Sequence, residues 1–218
     1  MKKTAFAMMA AAVLLASCGE SLNKKVPFEE VNIAQIVRDT MIYGFCGEGS
    51  AMNTLQIITD ANDTITLSVA AAREKNMVFG GYAVGDEMAV SVDKDTTMAN
   101  IVVNKSALLG NWVQPNPIDG SSETGISILK GGTAESIDQS TIVYKSWRLF
   151  NGKLQIVASR DDGIDMEEVL EFTIKKVTPD SLIIADSEDT YEYGRQVILP
   201  EEDLGFELDE GNSDDFRI

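Results

Sequence analysis

The fold of the second half of the chain is decided by TIVYKSWRLFNGKLQIV, residues 141–157. Its first ten residues are rich in β-branched and aromatic side chains, which favour a strand. The dipeptide Asn151-Gly152 follows, and it is a strong signal for a two-residue hairpin turn. Because residues 154–157 are again mostly apolar, the sequence predicts two antiparallel strands joined at Asn151.

More strands are predicted on both sides of this hairpin, each separated from the next by a turn. Leu170, Phe172 and Ile174 alternate with polar residues, which is the period of a half-buried strand. The other strands are predicted at residues 109–112, 125–128, 181–185 and 191–195. Since each strand follows its neighbour through a short turn, the pattern indicates an up-and-down antiparallel meander.

A separate series of shorter strands is predicted in the first half of the chain. They lie at residues 41–46, 55–59, 64–69, 87–92 and 99–103. A short helix over residues 70–76 separates the third strand from the fourth, and an amphipathic helix is predicted within residues 28–40. This order is typical of an OB-like barrel, although an SH3-like barrel would show nearly the same pattern. We therefore expect a mostly β chain whose small barrel, OB-like or SH3-like, occupies residues 28–105, ahead of the meander at residues 106–200.

Three groups of residues in the second half form a recognisable combination. They are Leu109-Gly110-Asn111-Trp112, then Thr141 with Tyr144 and Trp147, and finally Asp180-Ser181-Leu182 leading to Tyr193 and Arg195. This combination resembles the lipocalin-like family, and the whole chain resembles the two-part lipocalin-like lipoproteins of gut Bacteroidetes. The resemblance implies an up-and-down lipocalin-like barrel, with Trp112 at its closed end and Arg195 over the indole ring. Because this half is short for the family, we expect a flatter or partly open barrel.

The resemblance also implies a barrel mouth that holds a small hydrophobic ligand. The candidate lining residues are Tyr144, Trp147, Phe150 and Tyr191, because aromatic rings combine large apolar area with polar edges. In the alternative reading these rings simply fill the barrel, since eight strands leave room only for side chains or for one small ligand.

The amino terminus has the pattern of a bacterial lipoprotein signal. Met1-Lys2-Lys3 is basic, an apolar run follows, and Leu15-Ala16-Ser17-Cys18 resembles a lipobox. Residues 1–17 are therefore predicted to be a signal peptide, with lipid such as palmitate on Cys18 and residues 18–27 as a tether. The apolar run is shorter than the ~20 residues of a membrane-spanning helix. Because Gly19 follows the cysteine, we expect an outer-membrane lipoprotein of the cell envelope, facing the periplasm or the surface.

The charge of the chain excludes nucleic acid as a partner. Without residues 1–17 the chain has 16 basic and 35 acidic side chains, a net charge of −19. Such a surface repels phosphate backbones and offers no basic stripe for them. Residues 201–218 contain eight acidic side chains and one arginine. We expect that segment to be an acidic disordered tail.

The chain contains no histidine. Ser-His-Asp and Cys-His machinery therefore cannot be built, and the usual general base near neutral pH is absent. With Cys18 lipidated, Cys46 is the one remaining thiol, so we expect a structural cysteine, no intrachain disulfide and no zinc site. The acidic turns at residues 93–95 and 161–165 lack the pattern of a calcium loop. The sequence therefore predicts neither an enzyme nor a resident metal or cofactor.

Two functions of different classes remain. One is a ligand-binding lipoprotein of the envelope, tethered to the membrane through Cys18, whose lipocalin-like domain holds a small hydrophobic molecule. The other is a non-catalytic interaction protein of the envelope that contacts an unknown protein partner and takes no small-molecule ligand. An apolar cavity would favour the first function, and a filled barrel with an exposed apolar patch would favour the second.

Overall fold

The computed structural model describes residues 38–116, 120, 122–138, 141–160 and 166–197. The predicted signal peptide, Cys18, the tether, the acidic tail and the turn at 161–165 lie outside the described residues. The predicted helix within residues 28–40 lies outside them too, apart from its last three residues. Within the described part, no helix is long and apolar enough to cross a membrane.

The first half forms a six-stranded sheet. Its strands are β1 (Ile42–Cys46), β2 (Thr54–Thr59), β3 (Thr64–Ser68), β4 (Val78–Phe79), β5 (Glu87–Val92) and β6 (Ala99–Asn104), with helix α1 (Ala70–Glu74) after β3. The order across the sheet is β3-β2-β1-β5-β6-β4, and only β4 pairs in parallel, with β6. A parallel bridge from Ser68 to Met98 brings β3 towards the start of β6. The five longer strands, with a helix after the third, have the predicted OB-like order, whereas β4 was not predicted.

The second half begins with a one-turn helix and forms an eight-stranded antiparallel sheet. Its elements are α2 (Lys105–Leu108), β7 (Gly110–Pro115), β8 (Glu123–Ile128), β9 (Ala134–Ile137), β10 (Ile142–Phe150), β11 (Lys153–Arg160), β12 (Glu167–Val177), β13 (Ser181–Ala185) and β14 (Thr190–Arg195). The order is β10-β11-β12-β13-β14-β7-β8-β9. Two contacts bring β9 and β10, the strands at the two ends of this order, together. Thr133 forms a bridge with Ser146, and the backbone N–H of Trp147 donates to the Gly132 carbonyl at 2.8 Å. The predicted meander is confirmed as a nearly closed barrel, so it is less open than its length suggested.

A β-bulge on β10 decides which of its side chains point inward. The pairing with β11 shifts between Tyr144 and Ser146, so Lys145 is the extra residue. Two residues on a bulged strand face one on the partner, and the alternation of faces is reset beyond them. Tyr144 and Trp147 therefore both contact the core, although they are three residues apart.

The two ends of the barrel have different surroundings. At the closed end, where β7 begins and β14 ends, the barrel packs against the first sheet. The Gly80 N–H donates to the Val177 carbonyl at 3.2 Å, and the Tyr43 hydroxyl donates to the Leu149 carbonyl at 2.9 Å. At the open end, β7 ends and β14 begins. Fully buried side chains fill the barrel interior, namely Trp112, Ile126, Ile128, Leu154, Ile156, Leu182 and Ile184.

Candidate functional site

The closed end is built around Gly110, whose backbone conformation only glycine adopts easily. Its φ is +132°, and a Cβ at this position would collide with the guanidinium of Arg195. Because glycine has no side chain, it admits the arginine to this space. Arg195 then donates from Nη1 to the Leu109 carbonyl at 2.8 Å and from Nη2 to the Ala107 carbonyl at 3.1 Å. These carbonyls lie at the end of α2, where backbone oxygens have no partner within the helix.

Trp112 lies beneath that guanidinium and is fully buried. The Arg195 guanidinium carbon is 4.1 Å from the centroid of the indole ring, within the range of a cation–π interaction. The indole Nε1 donates to the Leu108 carbonyl at 2.7 Å. The predicted packing of Trp112 under Arg195 is confirmed. Since the donors of both residues face backbone carbonyls, this end of the barrel has a structural role.

The open end contains a cluster of aromatic side chains instead, which we call the tyrosine cluster: Tyr144, Phe172, Tyr191 and Tyr193. The Tyr191 ring is stacked against Tyr193 with centroids 6.5 Å apart, and it meets Phe172 edge-on at 5.7 Å. Tyr191 and Tyr193 face inward together because they are two residues apart on β14. Tyr191 is half-buried and was predicted as a lining residue, whereas Phe172 and Tyr193 were not.

Asp186, in the turn before β14, fixes the hydroxyl of Tyr191. The hydroxyl donates to Asp186 Oδ2 at 3.0 Å, while Oδ1 of the same carboxylate accepts the N–H groups of Glu188 and Asp189. Those backbone hydrogen bonds hold the pKa of Asp186 below its usual range. Burial, together with the Asp186 carboxylate, raises the pKa of Tyr191 to about 12. Tyr191 is therefore neutral and oriented at physiological pH.

Tyr193 is the most buried hydroxyl-bearing member of the tyrosine cluster, with 7% of its surface exposed. Burial raises its pKa above the usual range, and the neighbouring Tyr144 and Tyr191 raise it further. Among the described residues, none forms a hydrogen bond with the Tyr193 hydroxyl. Since no buried side-chain polar atom among the described residues lacks a partner, this hydroxyl is accessible to solvent, where a ligand atom can replace water as its partner.

The structure separates the four predicted lining residues. Tyr144 and Tyr191 lie at the open end, close enough for the Tyr144 hydroxyl to raise the pKa of Tyr191. Trp147 is buried farther from the mouth, and its Nε1 donates to the Leu129 carbonyl at 2.8 Å. Phe150 is at the closed end of β10, on the face opposite the buried Leu149, with Arg148 5.1 Å from its ring centroid. Only two of the four therefore meet at the mouth.

The chemistry available at the open end is that of neutral tyrosines. They offer aromatic faces for an apolar body and hydroxyl groups for one polar atom. Within the described part of the chain, no group of three acidic or cysteine side chains is placed to hold a metal ion. Cys46 ends β1, is buried, and has its Sγ 3.2 Å from Ser50 Oγ. It is remote in the chain from the tyrosine cluster and packs in the first sheet.

Comparison with known proteins agrees with this geometry. Residues 104–196 match the Lipocalin-like family. A solved structure of a lipocalin-like protein from Bacteroides thetaiotaomicron is 33% identical over a match that covers 41% of this chain and 97% of that chain, with a TM-score of 0.38. No curated protein matches the chain. Residues 104–196 therefore form a lipocalin-like domain.

Proposed function

We propose that this protein is a non-catalytic lipoprotein of the bacterial envelope whose barrel binds a small hydrophobic molecule at its open end. Proteins of the lipocalin-like family are generally non-enzymatic binding proteins. The observation that carries the proposal is the tyrosine cluster, where the solvent-accessible hydroxyl of Tyr193 has no partner among the described residues. The ligand has an apolar body with one polar atom, which Tyr193 binds.

The packing of the barrel limits the depth of this site. Fully buried Leu154, Ile156 and Leu182 occupy the interior, and Trp112 closes the far end. Tyr144, Leu170 and Tyr191, in contrast, are only partly buried. Because the described interior is filled rather than hollow, the ligand would lie near the surface, among the tyrosines at the mouth.

Native mass spectrometry of the unlipidated protein, after exposure to a lipid extract of bacterial cells, tests whether such a ligand exists. We expect one bound species on the wild type and on Phe150→Leu, which removes an aromatic ring from the opposite face of β10. Tyr191→Leu should lose the species, because it removes the ring that stacks on Tyr193. Absence of any bound species on the wild type would contradict the proposal.

We also propose that Cys18 carries the lipid that tethers the protein to the outer membrane. The support is the sequence alone, since the lipobox-like residues 15–18 lie outside the described residues. Metabolic labelling with an alkyne palmitate analogue should label the wild type and Cys46→Ser but not Cys18→Ser. Because Cys46 is the only other cysteine, equal labelling of Cys18→Ser and the wild type would overturn this assignment.

A second candidate function, contact with another envelope protein, is favoured by one observation on the outside of the barrel. Val143 on β10 and Val169 on β12 are 43% and 58% exposed, and their strands flank β11. Exposed apolar patches mark interaction sites. If the wild type captured no lipid but Val169→Lys abolished co-purification of a specific envelope protein, this function would replace ligand binding.

A further inference from the structure

A second cleft lies outside the barrel, where the end of β12 passes β4. Its volume is about 770 Å³, within the range of small-molecule sites. Phe79 and Val177 form part of its wall and are each only 6% exposed. Met52 and Val84 line the same cleft and are 73% and 62% exposed. Large apolar side chains therefore face open space here.

The charge of this cleft is opposite to that of the chain. The protein has 35 acidic and 18 basic side chains, yet the cleft is lined by Arg73, Lys175 and Lys176, and no acidic residue of the described part of the chain lines it. Elsewhere Lys105, Lys145, Lys153 and Arg160 form ion pairs with glutamates. None of the three basic residues of the cleft forms an ion pair within the described part of the chain.

A β-bulge places the two lysines together. Adjacent residues of a regular strand point to opposite faces, so a Lys-Lys pair would normally be divided between them. On β12 the register with β13 shifts between Ile174 and Lys176, and Lys175 is the extra residue. Both lysines consequently line the cleft. Bulges often redirect a side chain beside a functional site.

Arg73 is held in place on the other wall by a structural hydrogen bond. Its Nη1 donates to the Met52 carbonyl at 2.8 Å, and the Tyr82 hydroxyl lies 2.9 Å from the same oxygen. A guanidinium has five N–H donors, so the others remain available to a bound anion. The cleft thus combines a positioned arginine, two adjacent lysines and apolar walls.

We propose that this cleft is a second binding site, separate from the barrel mouth, for an organic anion with an apolar body. A carboxylate would lie between Arg73 and the two lysines, and an alkyl chain or a ring would contact Phe79, Met52 and Val84. Charge-assisted hydrogen bonds would fix the anionic group, while burial of the apolar body would supply most of the affinity.

Calorimetric titration of the unlipidated full chain with decanoate tests the proposal. We expect decanoate to bind more tightly than decanol, which has the same chain length and no charge. Lys175→Gln with Lys176→Gln should weaken decanoate binding about tenfold, and added salt should weaken it in the wild type. The matched control is Lys75→Gln with Lys94→Gln, which changes the net charge equally at exposed positions outside the cleft.

Three results would overturn the proposal. The first is no decanoate binding, or equal binding of decanoate and decanol. The second is an equal loss in both double variants, which would reflect the overall charge of the protein. The third is loss of decanoate binding on Tyr191→Leu with no effect of the cleft variant, which would place decanoate at the barrel mouth.

Discussion

The two ends of the barrel use aromatic side chains for opposite purposes. At the closed end, Trp112 is fully buried and its indole N–H has a carbonyl partner, while Arg195 covers the ring and binds the end of α2. At the open end, Tyr191 is only half-buried, and the hydroxyl of Tyr193 has no partner within the described residues.

This difference separates stability from function within one barrel. Substitution of a close-packed side chain whose hydrogen bonds are all formed lowers the stability of the protein, because it leaves a cavity or an unpaired donor. A hydroxyl without a partner in the protein can bind a ligand atom without breaking a hydrogen bond within the protein. The closed end should therefore dominate unfolding, and the open end should dominate binding.

The largest expected effect comes from Trp112→Ala. Removing a fully buried indole costs about 3–5 kcal/mol in cores of this kind. Urea unfolding should show this loss in the free energy of unfolding, whereas Tyr191→Leu at the open end should cost less than half as much. Equal losses at the two ends would remove the distinction between them.

Gly110→Ala should have the next largest effect. A Cβ there collides with the Arg195 guanidinium and also strains a backbone at φ +132°, which together should cost about 2–3 kcal/mol. The control is Arg195→Ala, alone and combined with Gly110→Ala. Because the collision needs both side chains, the double variant should lose less stability than the sum of the two single variants. Simple additivity would show that Arg195 is not what excludes a side chain at position 110.

The smallest expected effect is a loss of folding stability at alkaline pH, caused by Tyr191 at the open end. Burial raises the pKa of Tyr191 from 10.0 to about 12, so the folded state favours the neutral phenol. The stabilisation is fully present below pH 10 and is lost as the pH rises through about 12, since the unfolded chain releases its proton first. Thermal unfolding measured across this interval should decline less steeply for Tyr191→Phe than for the wild type. Identical slopes would mean that the tyrosine is not desolvated by the barrel.

Much of the fold could be predicted because it depends on local signals. The hairpin at Asn151-Gly152 and the alternating residues of β12 are properties of short segments, and both are confirmed. Strands β4 and β9 were missed. Val78–Phe79 is two residues long and pairs in parallel with the later β6, while Ala134–Ile137 contains Glu135 and Ser136 and gains its pairing from β8. Such strands are stabilised by distant partners that a local pattern does not contain.

The candidate site was harder to predict for a related reason. Strict alternation along β10 would place Tyr144 and Phe150 on one face and Trp147 on the other. The bulge at Lys145 reverses this beyond Tyr144, so Tyr144 and Trp147 share the interior and Phe150 does not. Tyr193 was named among the residues that carry the family resemblance. That its hydroxyl lacks a partner could not be predicted, because this depends on packing among three strands.

The most direct test of ligand binding at the open end is a fluorescence titration with N-phenyl-1-naphthylamine, a neutral apolar dye with one N–H group. We expect the wild type and Phe150→Leu to bind the dye equally. Tyr193→Phe should bind it about fivefold more weakly through loss of one hydrogen bond, and Tyr191→Leu should lose binding. If Phe150→Leu weakened binding as much as Tyr191→Leu, or if Tyr193→Phe had no effect, the open end would not be the binding site.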